Sequence, residues 1–322
     1  MKKTTKTKIV LVLCMAALTL GACGNTNDKG ANRTQGASGT QGASGTKTEQ
    51  NSGAGTAQDS NQAQGADSWQ KANAEFFSSI PENPASDFDY DNVDGEVIIY
   101  QYLGESKEVS IPAQIDGMDV RAIDENCFAN KKITAVACPD TLETIGTNAF
   151  INCEELVRVH LNEGLQTIAD YAFLHCLLLE YVSIPSTVTI IGESAFSSTG
   201  IKELELLCSA PELGQGVFLS IDVAELTIPA NIKTVGWMMF ANSQELETVI
   251  IEDGIEKIDK QAFDYCDKLS SVTIPASVTE IGEKAFAKSA FADKNLELVL
   301  TVEPGSYAET YAKENNITYV NP

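Results

Sequence analysis

Hydrophobic residues recur in this chain with a period of 22 or 23 residues. Each period contains a phenylalanine, and an aliphatic residue stands five positions before it, most often followed by glycine. A period of about 20 to 29 residues with aliphatic positions at constant offsets is typical of leucine-rich-repeat solenoids, whose coils bury apolar side chains only against their neighbours. The pattern predicts an α/β repeat, a solenoid of about eight coils, around Phe128, Phe150, Phe173, Phe196, Phe218, Phe240, Phe263 and Phe286.

Each coil also has an alternating segment, as in "LEYVSIP" at 179–185. Successive side chains of a strand point to opposite faces, so Val182 and Ile184 should face inward, while Tyr181 and Ser183 face outward. Pro185 then ends the strand, since proline cannot donate to a ladder. The following "IGxxAFxxC" segment predicts a tight bend and a helical turn that carries the phenylalanine. Stacked coils would therefore form a parallel strand ladder.

Both ends of the array have sequence features of caps. Asp94-Gly95 lies between two alternating segments and predicts a hairpin over the first coil. Ser306 and Glu309 form a capping box before a short amphipathic segment, which predicts a closing helix. We expect an N-terminal cap at 69–108, repeats at 109–302 and a C-terminal cap at 303–322.

The first 68 residues have a different composition. Residues 1–22 combine four lysines with the apolar run Ile9 to Leu20, which is typical of an export signal. The run ends in "LGAC" and resembles the bacterial lipoprotein signal, which implies lipidation of Cys23 and attachment to the outer face of a bacterial membrane. An ordinary secretory signal is the alternative. Residues 23–68 are rich in Gly, Ser, Thr and Gln and predict a disordered tether.

The chain is strongly acidic, with 22 Lys and Arg against 45 Asp and Glu and a net charge of −23. Such a field repels polyanions, so nucleic acid is not an expected partner. The membrane should be contacted only through the lipid anchor.

The repeat, read as LxxVxIPxxVxxIGxxAFxxC, resembles that of the BspA-like leucine-rich-repeat surface proteins. The coil at 201–218 departs from it, because "LLCSAPELGQGVF" lacks the proline after the inward Leu206. The resemblance implies a non-catalytic cell-surface protein that binds a protein or glycan ligand, as in adhesion to a host matrix glycoprotein. A structural spacer in the cell envelope is the alternative, and a carboxylate-based hydrolase is a remote one.

The cysteines and histidines give little support for a metal or nucleophilic site. Cys153, Cys176 and Cys266 each follow their phenylalanine by three residues, where other coils carry residues such as Ser and Thr, which indicates a small packing position. A disulfide between Cys153 and Cys176 stays open, since stacked coils bring them into range. His160 and His175 occupy different phases of the coil. No catalytic residue, metal or cofactor is predicted.

Carboxylates are numerous at the array's centre. Glu203 and Glu225 share a phase in adjacent coils and should be neighbours about 5 Å apart, the separation of the two carboxylates in retaining glycosidases. Glu205 lies beside them. A solvated acidic surface, a weak calcium site and catalysis are the three interpretations.

The outward strand positions predict where a ligand binds. Small and hydroxylated residues occupy the ends of the array, whereas large and charged ones occupy its middle. Tyr and Arg are enriched at binding hot spots, and solenoids present ligands with a continuous face. The predicted ligand site comprises Arg158, His160, Tyr181, Glu203, Glu205 and Glu225. A secondary apolar patch is predicted at Trp237 and Met238, which stand where other coils are mostly polar, and a turn folded over them is the alternative.

Overall fold

The structure, a computed structural model, describes residue 69 and residues 71–208, 212–289 and 297–322. The predicted signal peptide, the tether and Cys23 lie outside the described residues. The described part is a parallel-strand solenoid, as the period predicted.

Each coil contributes two short strands, and, except after the coil at 201–218, each strand pairs in parallel with its counterpart in the next coil. The first strands follow the order β3–β6–β8–β10–β12 and then β14–β16–β18–β20–β21. Their bounds are β3 (Glu108–Ser110), β6 (Ala135–Ala137), β8 (Arg158–His160), β10 (Tyr181–Ile184), β12 (Glu203–Leu206), β14 (Glu225–Ile228), β16 (Thr248–Ile251), β18 (Ser271–Ile274), β20 (Val299–Val302) and β21 (Thr318–Val320). We call the outward sides of these two sets the N-terminal strand face and the C-terminal strand face.

The second strands form a further set of ladders. They comprise β1 (Phe88–Val93), β2 (Glu96–Tyr102), β4 (Gln114–Ile115), β5 (Met118–Ile123), β7 (Thr144–Ile145), β9 (Thr167–Ile168), β11 (Ile190–Ile191), β13 (Glu212–Leu213), β15 (Thr234–Val235), β17 (Lys257–Ile258) and β19 (Glu280–Ile281). One sheet runs from β1 to β13, and a separate sheet contains β15, β17 and β19.

The eight phenylalanines form a stacked column along the interior. Each of them is at most 7% exposed, and neighbouring ring centroids are 4.8 to 5.7 Å apart. Tyr102 continues the column at one end, 5.2 Å from Phe128, and Tyr311 closes it at the other. Because no coil can cover its own ring, this column is the core that holds the coils together.

The segment around each phenylalanine forms turns and not the predicted helical turn. Residues with left-handed backbone flank the ring position on both sides, as at Asn148 and Asn152 around Phe150. The N–H of Phe150 donates to the carbonyl of Ala172 in the next coil at 2.7 Å. Backbone hydrogen bonds therefore join coils here instead of running along a helix.

The two caps lie where the sequence predicted them. β1 and β2 form an antiparallel hairpin around Asp94-Gly95, and β2 pairs in parallel with β5 of the first coil. Helix α2 (Tyr307–Glu314) follows Ser306, whose hydroxyl oxygen accepts a hydrogen bond from the Glu309 N–H at 3.1 Å. These elements cover the apolar ends of the column.

The strand ladders are interrupted at the divergent coil. β12 pairs with β10 but not with β14, and β13 pairs with β11 but not with β15. The turn side stays continuous, since the N–H of Phe218 donates to the carbonyl of Met239 at 3.0 Å. The two halves of the solenoid are therefore joined through their turns and separated on their strand sides.

Candidate ligand-binding site

A helix that the sequence analysis did not predict covers part of the N-terminal strand face. This helix, α1, occupies residues 71–79, and Trp69 is also helical. Phe77 and Ile80 are each only 8% exposed and pack with Ala135 of β6. Small side chains at Ala135 and Ala137 let the helix approach the strands closely. After the helix, the N–H of Asn83 donates to the carbonyl of Ser110, which ties the segment to β3.

Three aromatic residues of this segment contact the predicted ligand site. The Trp69 ring stacks on Tyr181 with centroids 6.0 Å apart and planes 7° apart. The Phe77 ring lies 5.6 Å from His160, and the Arg158 guanidinium lies 4.5 Å from the Phe76 ring centroid. The basic and aromatic part of the predicted site is thus already engaged by the chain's own helix.

The contact with α1 changes the environment of the site residues. Tyr181 faces outward as predicted, but it is only 7% exposed because Trp69 covers it. His160 keeps more than a third of its surface exposed. Its ring nevertheless loses solvent on the side of Phe77, and this burial lowers the pKa of His160 below its ordinary value, although the nearby Asp140 partly opposes the shift.

The acidic part of the site divides between the two halves of the solenoid. Glu205 accepts hydrogen bonds from the Tyr181 hydroxyl at 3.1 Å and from the Ser183 hydroxyl at 2.7 Å. Burial raises the pKa of Glu203, and a hydrogen bond from Trp69 opposes this increase. Glu225 is exposed on β14, across the interruption in the ladder.

Glu203 and Glu225, which share a phase in adjacent coils, are not paired in a strand ladder. β12 and β14 belong to different sheets, and β12 lies in the coil that departs from the repeat. Ladder hydrogen bonds therefore do not hold these carboxylates at the spacing of neighbouring strands. Among the described residues, no group of three or more His, Cys, Asp or Glu side chains could hold a metal ion.

A cavity of about 470 Å³ lies between α1 and strands β8 and β10. Aromatic walls come from Phe77, His160 and Tyr181, and Asn73 of the helix and Asn162 of the solenoid also line it. Clefts of a few hundred cubic ångströms with aromatic walls and a few polar groups are typical ligand sites. The arrangement joins the predicted site residues to a helix that forms one wall of the cavity.

The sequence contains a signal for α1 that the repeat-based analysis did not use. In "WQKANAEFFSSI", the large apolar residues stand at Trp69, Phe76, Phe77 and Ile80, which is the spacing of one helical face. Pro81 then ends the segment. The pattern indicates an amphipathic helix, but it does not indicate the surface that the helix covers.

The cysteine column is a packing position. The thiols of Cys153, Cys176 and Cys266 donate to the carbonyls of Phe128, Phe150 and Phe240 at 3.0 to 3.3 Å, so each of these thiols bonds to an earlier coil. The disulfide left open between Cys153 and Cys176 is not formed, since both are free. Burial raises the pKa of Cys153 to about 12, and the buried thiols are therefore not activated nucleophiles. His175 lies apart from His160, on the turn side, where it bonds to Asn152.

The predicted secondary patch is half-buried. Trp237 donates its indole N–H to Gln261 at 3.3 Å, and the Lys260 ammonium lies 3.9 Å from its ring centroid. Met238 is also half-buried and has a left-handed backbone. Trp237 and Met238 therefore form neither a fully exposed apolar patch nor a fully covered turn.

The C-terminal strand face carries smaller side chains. Its outward positions include Ile250 and Val320, which are 42% and 48% exposed. Most of the others are hydroxylated, namely Thr227, Thr248, Ser271, Thr273, Thr301 and Thr318. The C-terminal strand face is thus mostly uncharged, with Glu225 of β14 as an exposed charge.

Comparisons with known proteins agree with this architecture. Six copies of a family model described as "BspA type Leucine rich repeat region" match residues 121–247 and 236–318. A leucine-rich-repeat protein of T. pallidum is similar in structure, with a TM-score of 0.50 and 22% identity over 74% of this chain and 98% of that chain. A leucine-rich-repeat protein from Bacteroides capillosus is 27% identical over 38% of this chain and 96% of its own, with a TM-score of 0.36.

No curated protein matches the chain. Within the described ranges, no helix is long and apolar enough to cross a membrane.

Proposed function

Because the chain belongs to the BspA-type leucine-rich-repeat family, we propose that it is a non-catalytic cell-surface protein that binds a protein or glycan ligand. The ligand site consists of the N-terminal strand face together with α1, and it extends to Glu225 at the adjoining end of the C-terminal strand face. Its residues are Arg158, His160, Tyr181, Glu203, Glu205 and Glu225, and Asn73 and Phe77 of α1 form the opposite wall. Trp237 and Met238 remain a secondary patch.

The observation that carries this proposal is the docking of α1 on the strand face. Three aromatic rings of the segment lie 4.5 to 6.0 Å from Arg158, His160 and Tyr181. Arg and Tyr are residue types enriched at binding hot spots. A face that holds an aromatic helix has the shape and chemistry to hold further groups beside it. The cavity of about 470 Å³ at this contact provides the space.

The binding test uses immobilised extracellular-matrix glycoproteins and the purified full chain. Tyr181→Ala and Phe77→Ala should each weaken binding by more than about 1 kcal/mol, as hot-spot truncations do. Thr273→Ala, on the C-terminal strand face, is the matched control and should bind as wild type does. Equal binding by all four proteins would exclude this site. Tighter binding by Phe77→Ala would mean that α1 competes with the ligand instead of forming its wall.

The proposed anchor is a diacylglycerol on Cys23. One modified cysteine supplies two acyl chains, which is enough for stable attachment to a membrane. Metabolic labelling with a fatty-acid analogue should label the wild-type chain and not Cys23→Ala. Equal labelling of the two would refute lipidation at this residue and leave secretion without an anchor.

A structural role in the cell envelope is the second candidate. The hydroxylated, nearly uniform C-terminal strand face favours it, since a spacer needs a soluble surface but no specific contacts. Tyr181→Ala distinguishes the two functions. The variant should weaken binding if the protein binds a ligand at this face, whereas a spacer would show no change in any binding assay.

A further inference from the structure

On the side of the second strands, the interruption in the ladder leaves one backbone donor and one backbone acceptor without a protein partner among the described residues. At other coils, the residue after the second strand donates its N–H to the previous coil, as Gly192 does to Ile168 and Gly282 to Ile258, both at 2.8 Å. Within the described part of the chain, the N–H of Gly236 and the carbonyl of Leu213 lack this bond. Buried backbone N–H and C=O groups are almost always paired in proteins, with protein atoms or with water.

Asn231 contacts the previous coil differently from its counterparts in other coils. The corresponding residue in other coils is Thr141 or Thr187, whose short hydroxyl donates to a carbonyl of the previous coil. At the interruption the longer amide of Asn231 donates instead to the carbonyls of Leu206 and Cys208. A longer side chain thus spans the gap at its edge, while the second strands stay apart.

A cleft of about 420 Å³ occupies this gap between β13 and β15. Leu213, Gly214, Gln215, Thr234, Gly236 and Trp237 line it. Leu213 is only partly buried, although its counterparts Ile191 and Val235 are at most 1% exposed. A Cβ added at Gly236 would meet no atom within 4 Å, so space opens directly above the unpaired N–H.

Trp237 provides a rigid apolar wall beside the unpaired groups. Its indole N–H is bonded to Gln261, and Lys260 packs against its ring. Other coils carry a polar residue at the same position, such as Thr147, Glu193, Lys260 or Glu283. The coil that faces the gap therefore has the largest aromatic side chain where the others are polar.

We propose that the cleft between β13 and β15 binds an extended peptide segment of a partner polypeptide by adding its backbone to the unpaired strand edges. One carbonyl of the peptide accepts from the Gly236 N–H, and an N–H of the next residue donates to the Leu213 carbonyl. In a strand, the carbonyl of one residue and the N–H of the next point to opposite sides. One inserted strand can therefore bond to the edges on both sides of the cleft, at β13 and β15. The apolar side chains of the bound peptide pack on Leu213 and Trp237. This site is separate from the proposed α1 site and does not depend on it.

The first test measures the unpaired edge in the free protein. Amide hydrogen exchange by NMR on the full chain should show the Gly236 N–H exchanging at least about tenfold faster than that of Gly282, its hydrogen-bonded counterpart. Equal protection of the two amides would overturn the proposal, because the edge would then already be paired.

The second test selects a ligand from a displayed library of random linear peptides panned on the full chain. A selected synthetic peptide should slow exchange at Gly236 and should bind Trp237→Glu at least about tenfold more weakly. Glutamate occupies this position in regular coils, as at Glu193 and Glu283, so this variant should keep the fold. Glu283→Ala, which changes the residue at the same position of a regular coil, is the matched control and should bind normally.

N-methylation of the peptide backbone tests the pairing without altering the protein. Methylation at the residue that donates to Leu213 should abolish binding, whereas methylation at the next residue should not. Failure to enrich any peptide would count against the site. Selected peptides that bind Trp237→Glu equally well, or tolerate methylation at every position, would also refute it.

Discussion

The N-terminal and C-terminal strand faces are built on the same backbone repeat but differ in what packs on them. On the N-terminal face, paired alanines at 135 and 137 and the large residues Arg158 and Tyr181 receive the aromatic side chains of α1. The C-terminal face presents mostly hydroxyls, with Ile250 42% exposed. The outward side chains, which the repeat leaves variable, therefore determine whether a segment docks.

The stacked core also differs between the two halves. Neighbouring phenylalanine centroids are 4.8 or 4.9 Å apart from Phe128 to Phe196 and 5.4 to 5.7 Å apart from Phe196 to Phe286. The change begins next to the divergent coil, where the strand ladders stop. The solenoid thus tolerates a local loss of backbone pairing because its turns and ring column continue.

The largest expected effect is in the core that both halves share. Phe173→Ala and Phe263→Ala should each lower the free energy of unfolding by about 3 to 5 kcal/mol, the usual cost of truncating a buried Phe. Both rings are at most 1% exposed, so the two halves should respond alike. Chemical denaturation measures the loss. A loss below about 1 kcal/mol in one half would mean that its coils do not depend on the ring column.

A smaller effect is expected where the faces differ. Phe77→Ala should weaken the docking of α1 by about 2 kcal/mol, less than a core Phe because the ring lies at the edge of the structure. The loss should appear as fluorescence changes of Trp69 and faster local amide exchange, with little change in global unfolding.

The matched control on the other face is Ile250→Ala, which removes an exposed side chain and should change stability by less than about 0.5 kcal/mol. If both variants changed global unfolding equally, α1 would be part of the common core and the contrast between the faces would not hold.

The cation–π contact should contribute less. Arg158→Ala removes the guanidinium that lies 4.5 Å from Phe76 and should weaken α1 docking by about 0.5 to 1 kcal/mol. Lys260→Ala removes the equivalent contact to Trp237 in the other half and serves as the control. Trp237 also fluoresces, so both variants are made in a Trp237→Phe background, where Trp69 is the only tryptophan. Fluorescence should then report the first change and not the second. An identical response to both would show that the signal does not measure docking.

The smallest effect concerns pH. Burial lowers the pKa of His160 below 6.5, so the folded state binds its proton less readily than the unfolded state does. Stability from α1 docking should therefore be complete above about pH 6.5 and decrease as the pH falls from there toward the folded-state pKa. NMR titration should show the His160 pKa rising toward its ordinary value in Phe77→Ala. An unchanged pKa in that variant would mean that Phe77 is not the group that excludes water.

The repeat, the core and the caps could be predicted from the sequence because their determinants are local. Val182 and Ile184 are buried as their alternation predicted, and Ser306 caps α2 as its spacing predicted. In a solenoid each coil packs mainly on its neighbours, so a short periodic pattern contains most of the information about the fold. The choice of Arg158, His160 and Tyr181 as a ligand site stays a prediction.

Tertiary structure alone decided which surfaces are covered and where the ladder stops. Trp69 and Tyr181 are far apart in sequence, and their stacking depends on how two surfaces match in three dimensions. The separation of β13 from β15 likewise depends on the distance between coils, which a period in residue number does not contain. Local side-chain patterns determine how each coil forms, whereas contacts between distant segments determine what the coils leave open for a partner.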